Sequence, residues 1–498
     1  MKGHGAAAIG GLLATLVLAD NTDGVVQWGI QQRQAPPSST TRIRRRASTF
    51  EEVISNQEAR GGYFASCRMG TPAQDLTLQL DTGSSDIWVP DSQARVCAAR
   101  GTQGCDLGSF NPSRSSTFEV VGRNEFDISY VDGSSSQGDY FTDVFEIGGA
   151  TLQNMTMGLG QQTDIAYGLV GVGYAVNEAI VGSTQSLSSI YPNLPVNMVN
   201  EKLINSVAYS LWLNDLDSSS GSILFGGIDT EKYVGDLTRI DILANSQNLY
   251  TSFLVPLTSL TATSPSGSDT LTSRQFPIPV VLDSGTTLSY LPTDLAMQVW
   301  KEVGAVYSPE LQLAIIPCDM QNSKGYFSFG FAGPNGPKIK VSMDELVLDL
   351  ATSGAPTFSA GAYRGKAACE FGIQNFTSAP YLLGDTFLRS AYVVYDLVNN
   401  QIGLAATDFN STKSNIVAFP SLSAPIPSAT VAQDQSEATN KPSVTTPAYV
   451  ASAGFTKGAA ADDKENAAPG PSPSLGLACA LVVISMLFGS GQVFPASR

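Results

Sequence analysis

The stretch Leu80-Asp81-Thr82-Gly83-Ser84-Ser85-Asp86-Ile87-Trp88-Val89-Pro90 is echoed later in the chain by Leu282-Asp283-Ser284-Gly285-Thr286-Thr287. Alternating apolar residues precede each, as in Leu76-Thr77-Leu78-Gln79-Leu80 before the first. Each is followed, at a similar remove, by two apolar residues and a glycine: Leu169-Val170-Gly171 in the first half and Leu382-Leu383-Gly384 in the second. A lone Asp-Thr/Ser-Gly is an ordinary turn tripeptide, since Asp and Gly both favour turns. Two copies in matched frames describe one unit used twice, which forms a pseudo-twofold pair with one carboxylate from each copy.

Around these loops the chain reads as β-rich. Val207-Ala208-Tyr209-Ser210-Leu211-Trp212-Leu213 and Ala391-Tyr392-Val393-Val394-Tyr395 are short apolar or alternating runs bounded by Gly, Pro, Asp, Asn or Ser, the pattern of strands between turns. The best helix is 293–306, with Pro292 before it and Thr293 as its expected N-cap. An all-β body of two lobes is predicted, 47–218 and 219–420, with a cleft between them.

The chemistry narrows by exclusion. The one histidine of the 498 residues is His4, which falls in the expected export signal. Without histidine a Ser-His-Asp or Cys-His mechanism is closed, and so are zinc sites built on histidine. Acid–base work then falls to carboxylates, Tyr, Cys or Lys. Asp81 and Asp283 meet that need. In each loop an apolar strand delivers the Asp to a buried turn. The next hydroxyl residue, Thr82 or Ser284, is placed to bond across to the partner loop. Gly83 or Gly285 lets backbone N–H groups approach the carboxylate. Two carboxyls a few ångströms apart cannot both ionise, so they share one proton, the dyad that general accounts of acid–base tuning use as an example. One member then takes a proton from water and the other hydrogen-bonds the peptide carbonyl under attack. The titration belongs to the pair, so base and acid are not assigned separately. No cofactor or metal is expected.

The ends define the compartment. Lys2 and the apolar run 6–18 with Val17-Leu18-Ala19 read as a signal peptide, 1–19. The polar segment 20–46 ends in Arg42-Ile43-Arg44-Arg45-Arg46 and is expected as a propeptide cut after Arg46, a basic segment able to cover an acidic cleft. Residues 421–474 are rich in Ser, Thr, Ala and Pro and are expected as a disordered stalk. Residues 475–498 contain a short apolar run and, with small residues at Asn466-Ala467-Ala468, resemble a glycosylphosphatidylinositol signal with Asn466 as attachment point, although the polar 489–498 follows the apolar run. A single-pass tail or free secretion are the alternatives. Net charge is −16, which argues against nucleic-acid partners. Hydrophobic residues make up 43% and charged residues 14%, the latter below the roughly 25% usual for globular chains. Export permits disulfides. Of six cysteines, Cys97–Cys105 and Cys318–Cys369 are the expected bridges, Cys67 a buried free thiol, and Cys479 part of the tail; spacing alone does not fix the connectivity. Asn154, Asn375 and Asn410 head N-glycosylation sequons.

The two Asp runs resemble the active-site loops of the pepsin family, and the resemblance extends from Gly62-Tyr63-Phe64 to Ile402-Gly403-Leu404. Gly70-Thr71-Pro72, Gly221 to Asp229 and Leu383-Gly384-Asp385 resemble further landmarks. The layout of export signal, short basic prosegment, stalk and anchor is similar to the fungal surface branch called yapsins. The resemblance implies an aspartic endopeptidase of acid pH optimum, a bilobal pepsin-like fold, and protein or peptide substrates met by a monomer at the cell surface. It implies that Tyr130, in Ile128-Ser129-Tyr130-Val131-Asp132-Gly133-Ser134, is the flap tyrosine, that Trp88 hydrogen-bonds it, and that Ser84 and Thr286 bond the outer oxygens of the two Asp. Val131 departs from pepsin, which has glycine there, and a branched residue restricts the backbone. Asp132 and Gly133 complete the flap turn; Asp132 either pairs with a basic substrate side chain or is a solvated turn residue. A non-catalytic surface protein on the same fold, or a carboxylate metal hydrolase, are the alternatives.

Overall fold

Strands form where the sequence alternates. In Val26–Arg33 the side chains of Val26, Trp28 and Ile30 are buried while Gln27, Gly29 and Gln31 face outward, the signature of a half-covered strand. Ile87–Pro90, Ala208–Trp212 and Ala391–Asp396 are buried along their whole length, as strands covered on both faces are. The computed structural model describes residues 24–33, 62–98, 104–218, 220–350, 356–433, 435 and 444–456. The expected signal peptide, the basic cluster at Arg42–Arg46, Asn466 and the tail 475–498 lie outside the described residues.

Fourteen strands join in one continuous sheet from Glu119–Ser129 at one edge to Thr430–Val431 at the other. Its middle, in the order Tyr233–Asp241, Gln401–Thr407, Ala391–Asp396, Ala208–Trp212, Gly221–Phe225 and Val26–Arg33, draws on both halves of the chain. A further eight-stranded sheet contains Leu254–Ser264, Ile278–Leu282 and Tyr381–Leu383. The result is the expected all-β architecture with two similar halves. The expected division at 218/219 falls between two strands, Ala208–Trp212 and Gly221–Phe225, that pair with each other.

The duplication is visible in strand pairing. Gln74–Asp81 runs parallel to Gly168–Gly171, with Asp81 opposite Gly171, and Ile87–Pro90 returns antiparallel on the other side. In the second half Ile278–Leu282 runs parallel to Tyr381–Leu383, and Ser289–Pro292 returns antiparallel to it at Tyr290 and Leu382. Each Asp loop therefore straddles an apolar-apolar-Gly strand. The glycines are sterically required: a Cβ on Gly171 would lie 2.5 Å from the Ser85 nitrogen, and one on Gly384 would lie 2.2 Å from the Thr286 carbonyl oxygen.

Several expectations change. Residues 26–33, assigned above to a detachable propeptide, pair with Gly221–Phe225 on one side and Gly62–Met69 on the other, and Trp28 donates to the Ser66 carbonyl at 2.9 Å. In the full chain they are seated in the sheet rather than lying over the cleft as a loose cover. The disordered stalk does not begin at 421. Ala424, Ile426 and Ala432 are buried, and so are Ala451 and Phe455 within 444–456. Scattered single apolar residues in a polar segment found separate places on the body, which an average over composition hides. The helix is Thr293–Val303, stopped by Gly304 in the left-handed region at φ 74°, and Pro292 rather than Thr293 holds the N-cap position. Its buried apolar face is Leu295, Ala296, Val299 and Val303, an i, i+3/i+4 stripe, and Glu302 is buried with them. Cys97 is bonded to Cys105 and Cys318 to Cys369, and Cys67 is a buried free thiol. Among the described residues no helix is long and apolar enough to cross a membrane.

Replacing Gly384 by alanine should lower stability by about 1–3 kcal/mol, the usual range for overpacking, because the new methyl would meet the backbone oxygens of Thr286 and Leu288 at 2.2 and 2.4 Å. Gly29→Ala, where a Cβ would meet nothing within 4 Å, should leave the urea midpoint unchanged.

Candidate active site

The two Asp loops meet through reciprocal hydrogen bonds. The Thr82 hydroxyl donates to the Leu282 carbonyl at 3.0 Å and accepts from the Ser284 N–H at 2.9 Å. The Ser284 hydroxyl donates to the Leu80 carbonyl at 3.1 Å and accepts from the Thr82 N–H at 3.2 Å. All of this is buried, with Thr82 1% and Ser284 0% exposed, so the four bonds are shielded from competing water.

Each carboxylate is held the same way. Asp81 accepts the Gly83 N–H at 2.8 Å on one oxygen and the Ser84 hydroxyl on the other. Asp283 accepts the Gly285 N–H at 2.9 Å and the Thr286 hydroxyl at 2.6 Å. The loops are close enough that a Cβ on Gly83 would lie 2.6 Å from Asp283 Oδ1, and one on Gly285 2.3 Å from Asp81 Oδ1. Thr82, Gly83, Ser84, Ser284, Gly285 and Thr286 thus lie around the two acids. Asp81 is pushed up to about 7, first by burial and then by the charge of Asp283, against the opposing bonds from Ser84 and Gly83. Two acids in such contact retain a proton at a pH where an ordinary aspartate has lost it.

Above them stands the turn between Glu119–Ser129 and Ser135–Ile147. Trp88 Nε1 donates to the Tyr130 hydroxyl at 2.7 Å. Burial and the Asp81 charge hold the Tyr130 phenol well above its ordinary range, so it stays a hydroxyl. The turn closes with Gly133 N–H to the Tyr130 carbonyl at 3.0 Å and Tyr130 N–H to the Ser134 carbonyl at 2.9 Å. Its left-handed residue is Gly133, at φ 83°, so the branched Val131 carries no strain. Val131 is 66% exposed at the tip. Asp132 accepts the Ser134 N–H and hydroxyl on the same oxygen, at 2.9 and 2.6 Å, which leaves its second oxygen outside that turn.

Other groups at the site escaped the sequence reading. Asp86, fully buried, accepts from Tyr140 at 2.9 Å, Tyr191 at 2.7 Å and the Ala179 N–H at 2.8 Å. It ties the first Asp loop to the flap hairpin and to the segment after residue 178. Glu178 beside it is pushed up to about 9, chiefly by burial. Beneath the second loop Arg389 is ion-paired with Glu345 and donates to the Glu345 carbonyl at 2.6 Å. Asp385 lies next to it, its own carboxyl held well above the ordinary range by burial. Asp86 and Asp385 stand inside the quoted runs, but nothing local marks the partners of Asp86, which come from positions 140, 179 and 191.

Residues 62–407 match the family described as eukaryotic aspartyl protease. The chain belongs to that family. It is 42% identical over 420 residues to the probable aspartic-type endopeptidase OPSB of Arthroderma benhamiae, covering 83% of this chain and 82% of the relative. Identity is 40% over 444 residues to the probable aspartic-type endopeptidase opsB of Aspergillus fumigatus, covering 86% and 88%. It is 35% over 360 residues to secreted aspartic protease 8 of Candida albicans, covering 71% and 77%. The pepsin-like resemblance read from the two Asp runs is correct. This aspartyl protease extends beyond the matched span at both ends, through Val26–Arg33 and through the packed residues after 407.

Buried carboxyls give a pH prediction for stability. Glu178 at about 9, Asp81 at about 7 and Glu302 at about 7 all bind protons more tightly folded than unfolded. Their stabilisation is complete below the ordinary carboxylate range and is lost as pH rises through 7 to 9. The Tm should therefore be highest in acid and fall steadily between about pH 5 and pH 9, as read by calorimetry; a Tm that rose over that window would contradict the burial assigned to these acids.

Proposed function

We propose that the protein is an aspartic endopeptidase in which Asp81 and Asp283 activate a water molecule against the peptide carbonyl. The observation that carries this is the paired geometry: two buried carboxyls, each fixed by one N–H and one hydroxyl, each lying against the glycine of the other's loop. A pair holding one proton contains a general base and a general acid together. Its ionised oxygen takes a proton from water. Its protonated oxygen donates to the carbonyl oxygen as negative charge develops there. Collapse of the tetrahedral intermediate returns the proton to the leaving amine. Tyr130, held by Trp88, closes over the bound peptide, and the exposed turn tip at Val131 supports that role.

Substrates are proteins or peptides. The uncommitted oxygen of Asp132 supports acceptance of Lys or Arg beside the scissile bond. An extracellular location, anchored at the cell surface through a lipid attached near Asn466, fits the sequence ends and the secreted relative from Candida. Asn154 and Asn410 are exposed and Asn375 half-buried, which favours glycans at the first two. A monomer is proposed. Maturation by cutting after Arg46 would leave Val26–Arg33 seated in the sheet by its pairing on both sides.

Asp81→Asn and Asp283→Asn should each lower kcat/KM on a peptide substrate by about 10^3 or more, at the upper end of acid–base contributions, with an unchanged fold. Wild-type activity should decline as pH rises through about 7, where the pair loses its shared proton. Full turnover by both variants would overturn the dyad, and a wild-type chain without turnover would leave the non-catalytic reading standing. Asp132→Ala should reduce cleavage after Lys or Arg by about tenfold, the scale of an exposed ion pair or slightly more, and leave cleavage after Leu or Phe unchanged in a peptide-library digest.

A further inference from the structure

Past residue 407, where the family match ends, residues 444–456 lie along the outer end of the hairpin formed by Leu254–Ser264 and Gly267–Leu271. Thr272 donates its hydroxyl to the Thr445 carbonyl at 2.7 Å and accepts the Thr445 N–H at 3.2 Å. The hydroxyls of Ser264 and Ser266 donate to the carbonyls of Ala451 and Val450 at 2.6 and 2.5 Å. Phe455 is fully buried and stacks on Phe327 with centroids 5.5 Å apart. It fits there because position 325 is glycine, where a Cβ would come 2.1 Å from the ring. These contacts make a built docking site rather than a loose tail.

Under this segment sit two acids. The Ala451 N–H donates to Asp269 Oδ2 at 2.7 Å. Glu302, on the helix Thr293–Val303, is 0% exposed, and among the described residues neither of its oxygens receives a hydrogen bond from an N–H or O–H donor. Asp269 is the neighbouring acid that acts on it. The remaining groups facing the pair are Lys301, from the same helix, and Tyr449, from the docked segment. The Lys301 ammonium lies 3.8 Å from the centre of the Tyr449 ring. The strands Leu254–Ser264, Ser289–Pro292 and Ile373–Phe376, which also pack around this region, contain no charged residue. A buried carboxyl without an adjacent donor or ion-paired cation is held neutral, and its proton points to Asp269 as acceptor.

We propose that residues 444–456 form an acid-locked strap: a proton shared by Glu302 and Asp269 lets both stay buried while Asp269 holds the Ala451 N–H, and loss of that proton undocks the strap. Burial and Asp269 push Glu302 up to about 7, so the lock holds in the acid range and opens near neutrality. Undocking admits water to both carboxylates and relieves their repulsion. The strand Leu254–Ser264 begins next to the second Asp loop, where the Leu282 N–H meets the Phe253 carbonyl at 3.2 Å. Its length carries the chain about 30 Å from there to the strap. The strap therefore docks at the opposite end of that strand from the second Asp loop.

Hydrogen exchange of the full chain, followed by mass spectrometry at pH 4 and pH 8 and corrected for intrinsic rates, tests this. Peptides covering 444–456 should lose protection by at least about tenfold at pH 8, since each pH unit above the ordinary glutamate range weakens docking by up to that factor. The strand Leu254–Ser264 should stay protected. Glu302→Gln keeps a donor toward Asp269 without a titration and should leave the strap protected at both pH values. Equal protection of the wild-type strap at the two pH values would overturn the proposal. So would loss of strap and strand together, or a Glu302→Gln strap that still opens at pH 8.

Discussion

Thr82 and Ser284 each commit a backbone N–H and a hydroxyl to the opposite Asp loop. Most of the site depends on that exchange. Bringing two carboxylates together is electrostatically unfavourable, and a structure that does so needs a rigid cross-link that the acids themselves do not supply. The four bonds pair the backbone N–H and the hydroxyl of both residues inside a dry interface, where an unmade bond is costly. Because the loops are locked, the distance between the acids is fixed and one proton stays between them. The same constraint explains the glycines at 83 and 285: the space a side chain would occupy is taken by the other loop's carboxylate.

The body around this cross-link is arranged to keep it rigid and dry. Each Asp loop straddles a strand whose closing glycine allows direct backbone contact. The shared central part of the large sheet supports both halves, with Tyr209 stacked on Tyr395 at 4.9 Å and Phe253 edge-on at 4.6 Å. Buried ionisable groups flank both loops, Asp86 and Glu178 on one side, Asp385, Arg389 and Glu345 on the other. Burying a carboxyl without a cationic partner, as at Glu178, costs stability at neutral pH and is tolerated in acid, where it is neutral. Chemistry and stability are thus tuned to the same range: the shared proton at the acid pair and the protons on the flanking acids persist together. The pair beneath 444–456 lies inside the matched span and carries that logic to a segment outside it.

Legibility in the sequence followed locality. The Asp motifs, their hydroxyl partners and the apolar-apolar-Gly strands were readable because each role is set by neighbours within a few residues, and duplication marked them as a unit. Trp88 and Tyr130 were readable through resemblance. Asp86 stood in plain sight, yet its partners Tyr140 and Tyr191 lie far along the chain and carry no local mark. Val26–Arg33 alternates as a strand should, but its place before a basic cluster drew the reading toward a detachable segment. Only pairing on both sides assigns it to the body. The polar stretch after 420 hides its order for a related reason: a few well-spaced apolar residues suffice to dock a segment when receiving pockets exist, and pockets are a property of the folded body.

By itself the sequence determined the chemistry: no histidine outside the first residues, two matched carboxylate loops, and therefore a proton-sharing acid pair in an all-β frame. Residue type and local spacing decide such matters, because turn geometry and strand periodicity act over short range. The tertiary structure alone decided which strands complete the sheet, which acids are stripped of water, and where the C-terminal residues attach. Those depend on contacts between segments hundreds of positions apart, whose energies come from burial and from partners that no local pattern encodes.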